Sequence, residues 1–155
     1  MEIRPATVND LDMLLALNKE VQDIHVDKFP HVFKETSPKE METWIRSQLE
    51  AKDLFVFAAC EGKDVIGYII LRLITRAGNP FMRERKFAYI DQICVTKLKR
   101  KSGVGKKLLE HAINYAKHQG YDRIELDVWT ENSTAKSAFE KFGFSTFSEK
   151  MVLNK

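Results

Sequence analysis

Apolar positions along the chain recur at two periods, and each change of period marks an element. Residues 54–60 (LFVFAAC), 65–75 (VIGYIILRLIT) and 86–95 (KFAYIDQICV) are nearly continuous apolar runs of strand length. EGKD (61–64) reads as a hairpin turn between the first two, and RAGNPFMRER (76–85) as a loop before the third, so these strands form an antiparallel meander. Strict alternation in the third run puts Phe87, Tyr89, Asp91, Ile93 and Val95 on one face and Ala88, Ile90, Gln92 and Cys94 on the other. Gly67, inside the second run, marks a bulge or a close backbone approach.

Helical spacing appears in four places. Leu11, Leu14, Leu15, Val21 and Ile24 predict a helix from the Thr7/Asp10 start to His25–Lys28, ahead of Pro30. Ser37-Pro38 with Glu40 and Glu42 opens a second, about 38–51. Val104, Leu108, Ala112 and Ala116 recur every four residues in a third, which Gly120 ends. Ala135, Ala138, Phe139 and Phe142 give a short fourth helix capped by Gly143. EIRPA (2–6), RIELDVWT (123–130) and FSTFSEKMVL (144–153) complete the expectation as strands. The order is β-α-α-β-β-β-α-β-α-β, an α/β (α+β) fold with a mixed sheet and helices on both faces. The helical connection from 86–95 to 123–130 implies a parallel pair.

Composition narrows the class. The chain has 155 residues, 44% hydrophobic and 30% charged, the range of one globular domain. It contains no apolar run of 18 residues, and its opening MEIRPATVNDLD lacks an apolar signal region; the expectation is a cytosolic protein with no membrane span. Cys60 and Cys94 sit in apolar strand runs and read as reduced core thiols. The four histidines show no metal-ligand spacing, so no metal is expected. Residues 1–60 carry 7 Lys/Arg against 11 Asp/Glu; residues 61–155 carry 18 against 11. A basic half suits a polyanionic ligand, and an acidic half a cationic amine.

The candidate chemistry begins at Arg100-Lys101-Ser102-Gly103-Val104-Gly105-Lys106, between the 86–95 strand and its helix. Glycines let the backbone turn tightly and approach a ligand, and the helix start offers unpaired N–H groups and a positive dipole end. Arg100, Lys101 and Lys106 add charge around this phosphate seat. The spacing is neither a P-loop nor a dinucleotide fingerprint, since Leu108 stands where a third glycine would be needed. A plain solvated basic turn is the competing reading.

Arg-x-x-Gly-x-Gly after a central strand resembles the GNAT N-acetyltransferase superfamily. A second block, Asn132-x-x-Ala135-x-x-Ala138-Phe139-Glu140-Lys141-Phe142-Gly143-Phe144, resembles that family's other signature. The resemblance implies a mostly antiparallel sheet of six to seven strands, splayed between strands 4 and 5, and a homodimer. It also implies acetyl-coenzyme A as cosubstrate. Its pantetheine would bond the backbone of Ile93, Cys94 and Val95, as an added strand would. Its pyrophosphate would lie on Arg100–Lys106, including Ser102 and Val104. Asn132 would contact the cofactor or simply cap its helix; Phe139 and Lys141 would flank it.

The implied reaction is direct attack of a primary amine on the thioester. An amine of pKa about 10.4 must first lose a proton. Asp91 is the candidate base, unless it is a buried carboxylate tied to a helix end or an arginine. Tyr89 is the second catalytic candidate. Phe139 stands where many members carry a proton-donating tyrosine, so the general acid is open. The aromatic, histidine-bearing segment HVDKFPHVFKETSP supplies His25, His31 and Phe33 as candidates for the acceptor wall, or is a lid packed on the core. A non-catalytic acyl-coenzyme A sensor is the alternative. Nucleic-acid binding is disfavoured, because no aromatics interleave the Lys97–Lys107 charges.

Overall fold

In a computed structural model, which describes residues 1–153, the elements follow the expected order as far as the fourth helix. They are β1 (Glu2–Pro5), α1 (Leu11–Lys28), α2 (Pro38–Glu50), β2 (Leu54–Glu61), β3 (Asp64–Arg76), β4 (Arg85–Val95), α3 (Val104–His118), β5 (Ile124–Leu126) and α4 (Ser133–Phe142). The sheet runs β1-β2-β3-β4-β5, antiparallel until the parallel β4–β5 pair. Both predicted helix starts are capping boxes: Thr7 with Asp10 opens a 3-10 turn leading into α1, and Ser37 with Glu40 opens α2.

Two apolar layers sandwich the sheet. On one face Leu11, Leu14 and Leu17 of α1 and Met41 and Ile45 of α2 pack on Val56, Ala58, Tyr68, Ile70 and Cys94. On the other, Val104, Leu108, Leu109, Ala112 and Ala116 of α3 pack on Ala59, Ile69, Leu71, Ala88 and Ile90. Cys60 and Cys94 are buried free thiols. Among the described residues, no helix is long and apolar enough to cross a membrane.

Three expectations are corrected. The sheet has five strands among the described residues, not six or seven: 144–153 forms no strand. Phe144 folds back onto Phe139 and Phe142, and Phe147 lies over the guanidinium groups of Arg85 and Arg123. With β5 only three residues long, no ladder of useful length is left for a further strand. β5 itself is shorter than 123–130, because it leaves β4 after Leu126.

The third correction concerns β4. Ile70 of β3 pairs with Gln92, but the next residue, Leu71, pairs with Ile90, so Asp91 is an extra residue in β4. A bulge of this kind shifts the side-chain period by one. Ala88 and Ile90 therefore face α3 before it, and Ile93 and Val95 after it; Cys94 faces α1.

Gly67 meets its expectation. A Cβ there would stand 2.7 Å from the Cys94 carbonyl oxygen, with Leu108 and Val104 close behind. Gly67→Ala is expected to lower unfolding free energy by about 1–3 kcal/mol, read from the urea midpoint. The N-terminal clamp gives a pH signature. Arg4 donates to both Asp10 carboxylate oxygens (2.7 and 2.9 Å), and the Thr7 N–H adds a third bond at 2.8 Å. These hold Asp10 at about 2, below its ordinary 3.8. A depressed acid contributes stability above its unfolded value and loses it as pH falls. The stability gap between wild type and Asp10→Asn should thus close as pH drops from 3.8 toward about 2.

Candidate active site

The bulge at Asp91 and the end of β5 produce one gap. The β4–β5 ladder runs Ala88↔Ile124, Tyr89↔Glu125, Ile90↔Leu126 and stops. β4 continues to Val95, paired on its other side with β3 as far as Gly67. Among the described residues the β5-side edge of Asp91–Val95 carries no strand. The splay expected between strands 4 and 5 is therefore present. Cys94 and Val104 are buried. The Cys94 thiol points to the Leu17 carbonyl oxygen (3.3 Å), so the gap receives only backbone from that residue.

Beyond Val95 the chain makes a 3-10 turn (Lys97–Lys99) and then enters α3. Gly103 caps that helix with φ +87°, and Lys101 also takes positive φ (+62°). A Cβ on Gly103 would meet nothing within 4 Å, and one on Gly105 only Val95 at 3.8 Å. The left-handed backbone, not crowding by protein, is what asks for glycine at 103, and the helix start faces open space. The first helical bond is the Lys107 N–H to Gly103 O, so the preceding N–H groups are free for an anion. Ser102 Oγ closes the turn by donating to Lys99 O. Arg100 donates through Nε to Val95 O (3.0 Å) and lies 3.6 Å from Glu20. Lys106 stands 3.7 Å from Glu110, half-exposed or more on both sides, and Lys101 is exposed.

The acid–base groups lie on the α1 side of the gap. Tyr89 donates its hydroxyl to Asp127 Oδ2 at 2.9 Å, at the first residue past the end of β5. Burial, then the Asp127 carboxylate, pushes the Tyr89 phenol well above its usual value, so it keeps its proton. Asp91 does not stand alone among apolar strand residues. Arg72 holds one of its oxygens through Nε (3.0 Å) and Nη2 (2.7 Å), and Asp91 is on the exposed side. Arg72 supplies an arginine tie for Asp91, but on the exposed side and not in a buried site.

The acceptor-side candidates divide. His25 and Phe33 stack at 4.6 Å, and Phe33 meets Trp129 edge-on at 5.5 Å; Phe29 joins both. Burial, then the nearby Lys28 charge, lowers the His25 value from its ordinary 6.5. His31 is exposed and outside this cluster. Asn132 caps α4, its Oδ1 accepting the Ala135 N–H at 3.3 Å, which leaves its amide nitrogen free. Phe139 packs edge-on against Phe144 at 5.8 Å, and Lys141 stands on the exposed side of α4.

Asp127 and Trp129 were absent from the sequence candidates. The signal was present: in RIELDVWT the inward set Ile124, Leu126, Val128 leaves Glu125, Asp127 and Trp129 as the opposite face. Among the described residues, no group of three His, Cys, Asp or Glu is placed to hold a metal.

Comparison with known proteins decides the family. The model of the acetyltransferase (GNAT) family matches residues 18–144. The chain belongs to the GNAT acetyltransferase family. N-alpha-acetyltransferase 30 of Saccharomyces cerevisiae is 33% identical over 79 residues, 51% of this chain and 42% of that protein. The Arabidopsis thaliana protein "GCN5-related N-acetyltransferase 6, chloroplastic" is 30% identical over 59 residues, 38% of this chain and 20% of its own length. The chain spans less than two thirds of these curated relatives. Among solved structures, the tetramutant BH1408 protein of Bacillus halodurans superposes with a TM-score of 0.94 at 28% identity, covering 100% of each chain. An aminoglycoside 6'-N-acetyltransferase of Acinetobacter haemolyticus shares the fold (TM-score 0.79, 18% identity, 100% of this chain and 98% of that one).

Proposed function

We propose that this GNAT protein transfers an acetyl group from acetyl-coenzyme A to a primary amine by direct attack. The observation that carries the reading is the bare Asp91–Val95 edge running into the open N-terminus of α3, flanked by Arg100, Lys101 and Lys106. A pantetheine arm would complete the edge with backbone bonds, and the free N–H groups of α3 would take the pyrophosphate. Ile93 and Val95 offer backbone, Gly103 and Gly105 offer room, and Asn132 offers its free amide nitrogen. A related fold, the aminoglycoside N-acetyltransferase AAC(6')-Iy, has been solved with CoA.

For the proton we assign Asp127 as base. It is exposed, held in place by the Tyr89 hydroxyl, and sits where β5 leaves the sheet; Asp91 is engaged by Arg72. Asp127 takes a proton from the ammonium, the amine nitrogen bonds to the acetyl carbon, and the carbon–sulfur bond breaks with the thiolate keeping the electron pair. The remaining amide-forming proton passes to solvent or to the thiolate. Burial favours the acyl transfer being direct: it pushes the Cys94 thiol up to about 12 and raises that of Cys60, so neither is a nucleophile at neutral pH. His25, Phe33 and Trp129 form the aromatic wall of the acceptor site in this reading.

One observation favours a second reading, a non-catalytic acyl-coenzyme A sensor: Phe139 has no proton to give and is committed to packing on Phe144. Thiol release in a screen of peptide N-termini, polyamines, amino acids and aminoglycosides separates the two. Binding without release under every acceptor would favour the sensor.

Acetyl-coenzyme A at about a hundredfold excess over Kd should raise the melting temperature by roughly 5–10 °C. Gly103→Glu, which puts a carboxylate and a strained side chain at the seat, should abolish that rise; an unshifted wild type would refute the cofactor reading. Asp127→Asn should lower kcat by about 100- to 10,000-fold with CoA affinity intact. If Asp91→Asn shows that loss instead, the base is Asp91.

A further inference from the structure

α1 covers one face of the sheet, and one of its residues reaches past the end of β4. One Glu20 oxygen accepts from the Thr96 hydroxyl at 3.2 Å. The other accepts the Lys97 backbone N–H at 3.2 Å and lies 3.6 Å from the Arg100 guanidinium. The Glu20 side chain is only 31% exposed. Two further links join the same stretch of α1 to β4: the Cys94 thiol to Leu17 O (3.3 Å) and Asn18 Nδ2 to Gln92 Oε1 (3.1 Å). Those two end within the sheet. Of these three links from α1, the Glu20 link acts on the turn ahead of α3, which Thr96 N–H to Ile66 O and Lys99 to Glu61 also hold.

An exposed ion pair between two flexible side chains is worth little. Glu20 differs, because one of its three partners is backbone and therefore cannot swing away. Its two bonds at 3.2 Å fix Thr96 and Lys97, whereas the Arg100 contact is the longest, and Arg100 is already held by Val95 O through Nε. Removing the carboxylate thus loosens the turn more than it releases a cation.

We propose that Glu20 is a positioning residue for the cofactor's diphosphate. It ties Thr96–Arg100 to α1, so that Arg100 and the start of α3 meet the ligand as an assembled site. Ordering that turn before binding spares the ordering cost at the moment of binding. The inference rests on the acetyl-coenzyme A reading above.

The experiment titrates CoA into the full chain by calorimetry and follows acetylation of an acceptor from the screen, for wild type, Glu20→Ala and Glu20→Gln. Glu20→Ala should weaken CoA binding and raise the KM for acetyl-CoA by about tenfold, with kcat at saturation within about twofold. Glu20→Gln, which keeps an acceptor oxygen but no charge, should lose about threefold. In the ligand-free protein, Glu20→Ala should also speed hydrogen exchange at the Lys97 amide, which needs no cofactor to be seen. Wild-type affinity in Glu20→Ala overturns the proposal. So does tighter binding, which would make Glu20 a rival anion for Arg100. Should Glu20→Ala fail to fold, unchanged affinity in Glu20→Gln overturns it equally. Absence of CoA binding by wild type would instead overturn the cofactor reading on which the proposal stands.

Discussion

One extra residue in β4 sets the geometry of the whole site. Asp91 has no partner of its own in the β3–β4 register, and past it every side chain of β4 changes sides. The cost of a bulge is a broken ladder and a local twist. Here the twist falls where β5 has just ended, so the unpaired edge and the departure of β5 occur together. Arg72, opposite Tyr89 on β3, holds the Asp91 carboxylate, and Asn18, Tyr68 and Gln92 form a closed hydrogen-bonded triangle of 2.8–3.1 Å beside it. Buried polar groups are tolerated in this sandwich only because each finds a partner there.

The same constraint explains the role of α1. Gln92 and Cys94 face α1 only because the bulge turned them that way; without it they would face α3. α1 is thereby fastened along β4 by contacts that reach from Gln92 to Lys97. Its far end carries His25 into the aromatic cluster with Phe33 and Trp129. One helix therefore touches both the turn ahead of α3 and the aromatic cluster.

Periodicity and capping chemistry were sufficient for most of the fold. Ser37/Glu40, Thr7/Asp10, Gly120 and Gly143 act locally, so their meaning survives in sequence. The Gly103 turn and the start of α3 were legible for the same reason: one loop and one helix start make them. The bulge was not, because IDQICV is apolar enough on both faces to fit either register, and only pairing with β3 decides. Asp127 and Trp129 were hidden by a related effect. A strand was read from its inward residues, and the outward ones gain meaning only when β5 breaks from β4 and Tyr89 reaches Asp127. The final strand was over-read: FSTFSEKMVL has strand composition, but composition supplies no partner edge.

The charges around the gap gain a physical sense from this arrangement. Six of the 18 Lys/Arg of residues 61–155 lie between Lys97 and Lys107, in the turn and first residues of α3, where phosphate would lie. Acidic Asp127 stands at the opposite end of the gap, past Leu126. An ammonium acceptor and a polyanionic donor carry opposite charges, and a single site that attracts both must separate its own charges in space. Beyond Val95 stand the lysines and arginine of the turn; near Tyr89, Asp91 and Glu125 are paired with arginines and Asp127 accepts the Tyr89 hydroxyl. Glu20 is one of three anions at the basic end, with Glu61 on Lys99 and Glu110 on Lys106. It is tolerated because it is bonded to backbone and hydroxyl donors on the inner side of the turn, leaving the outer side of α3 to face any phosphate.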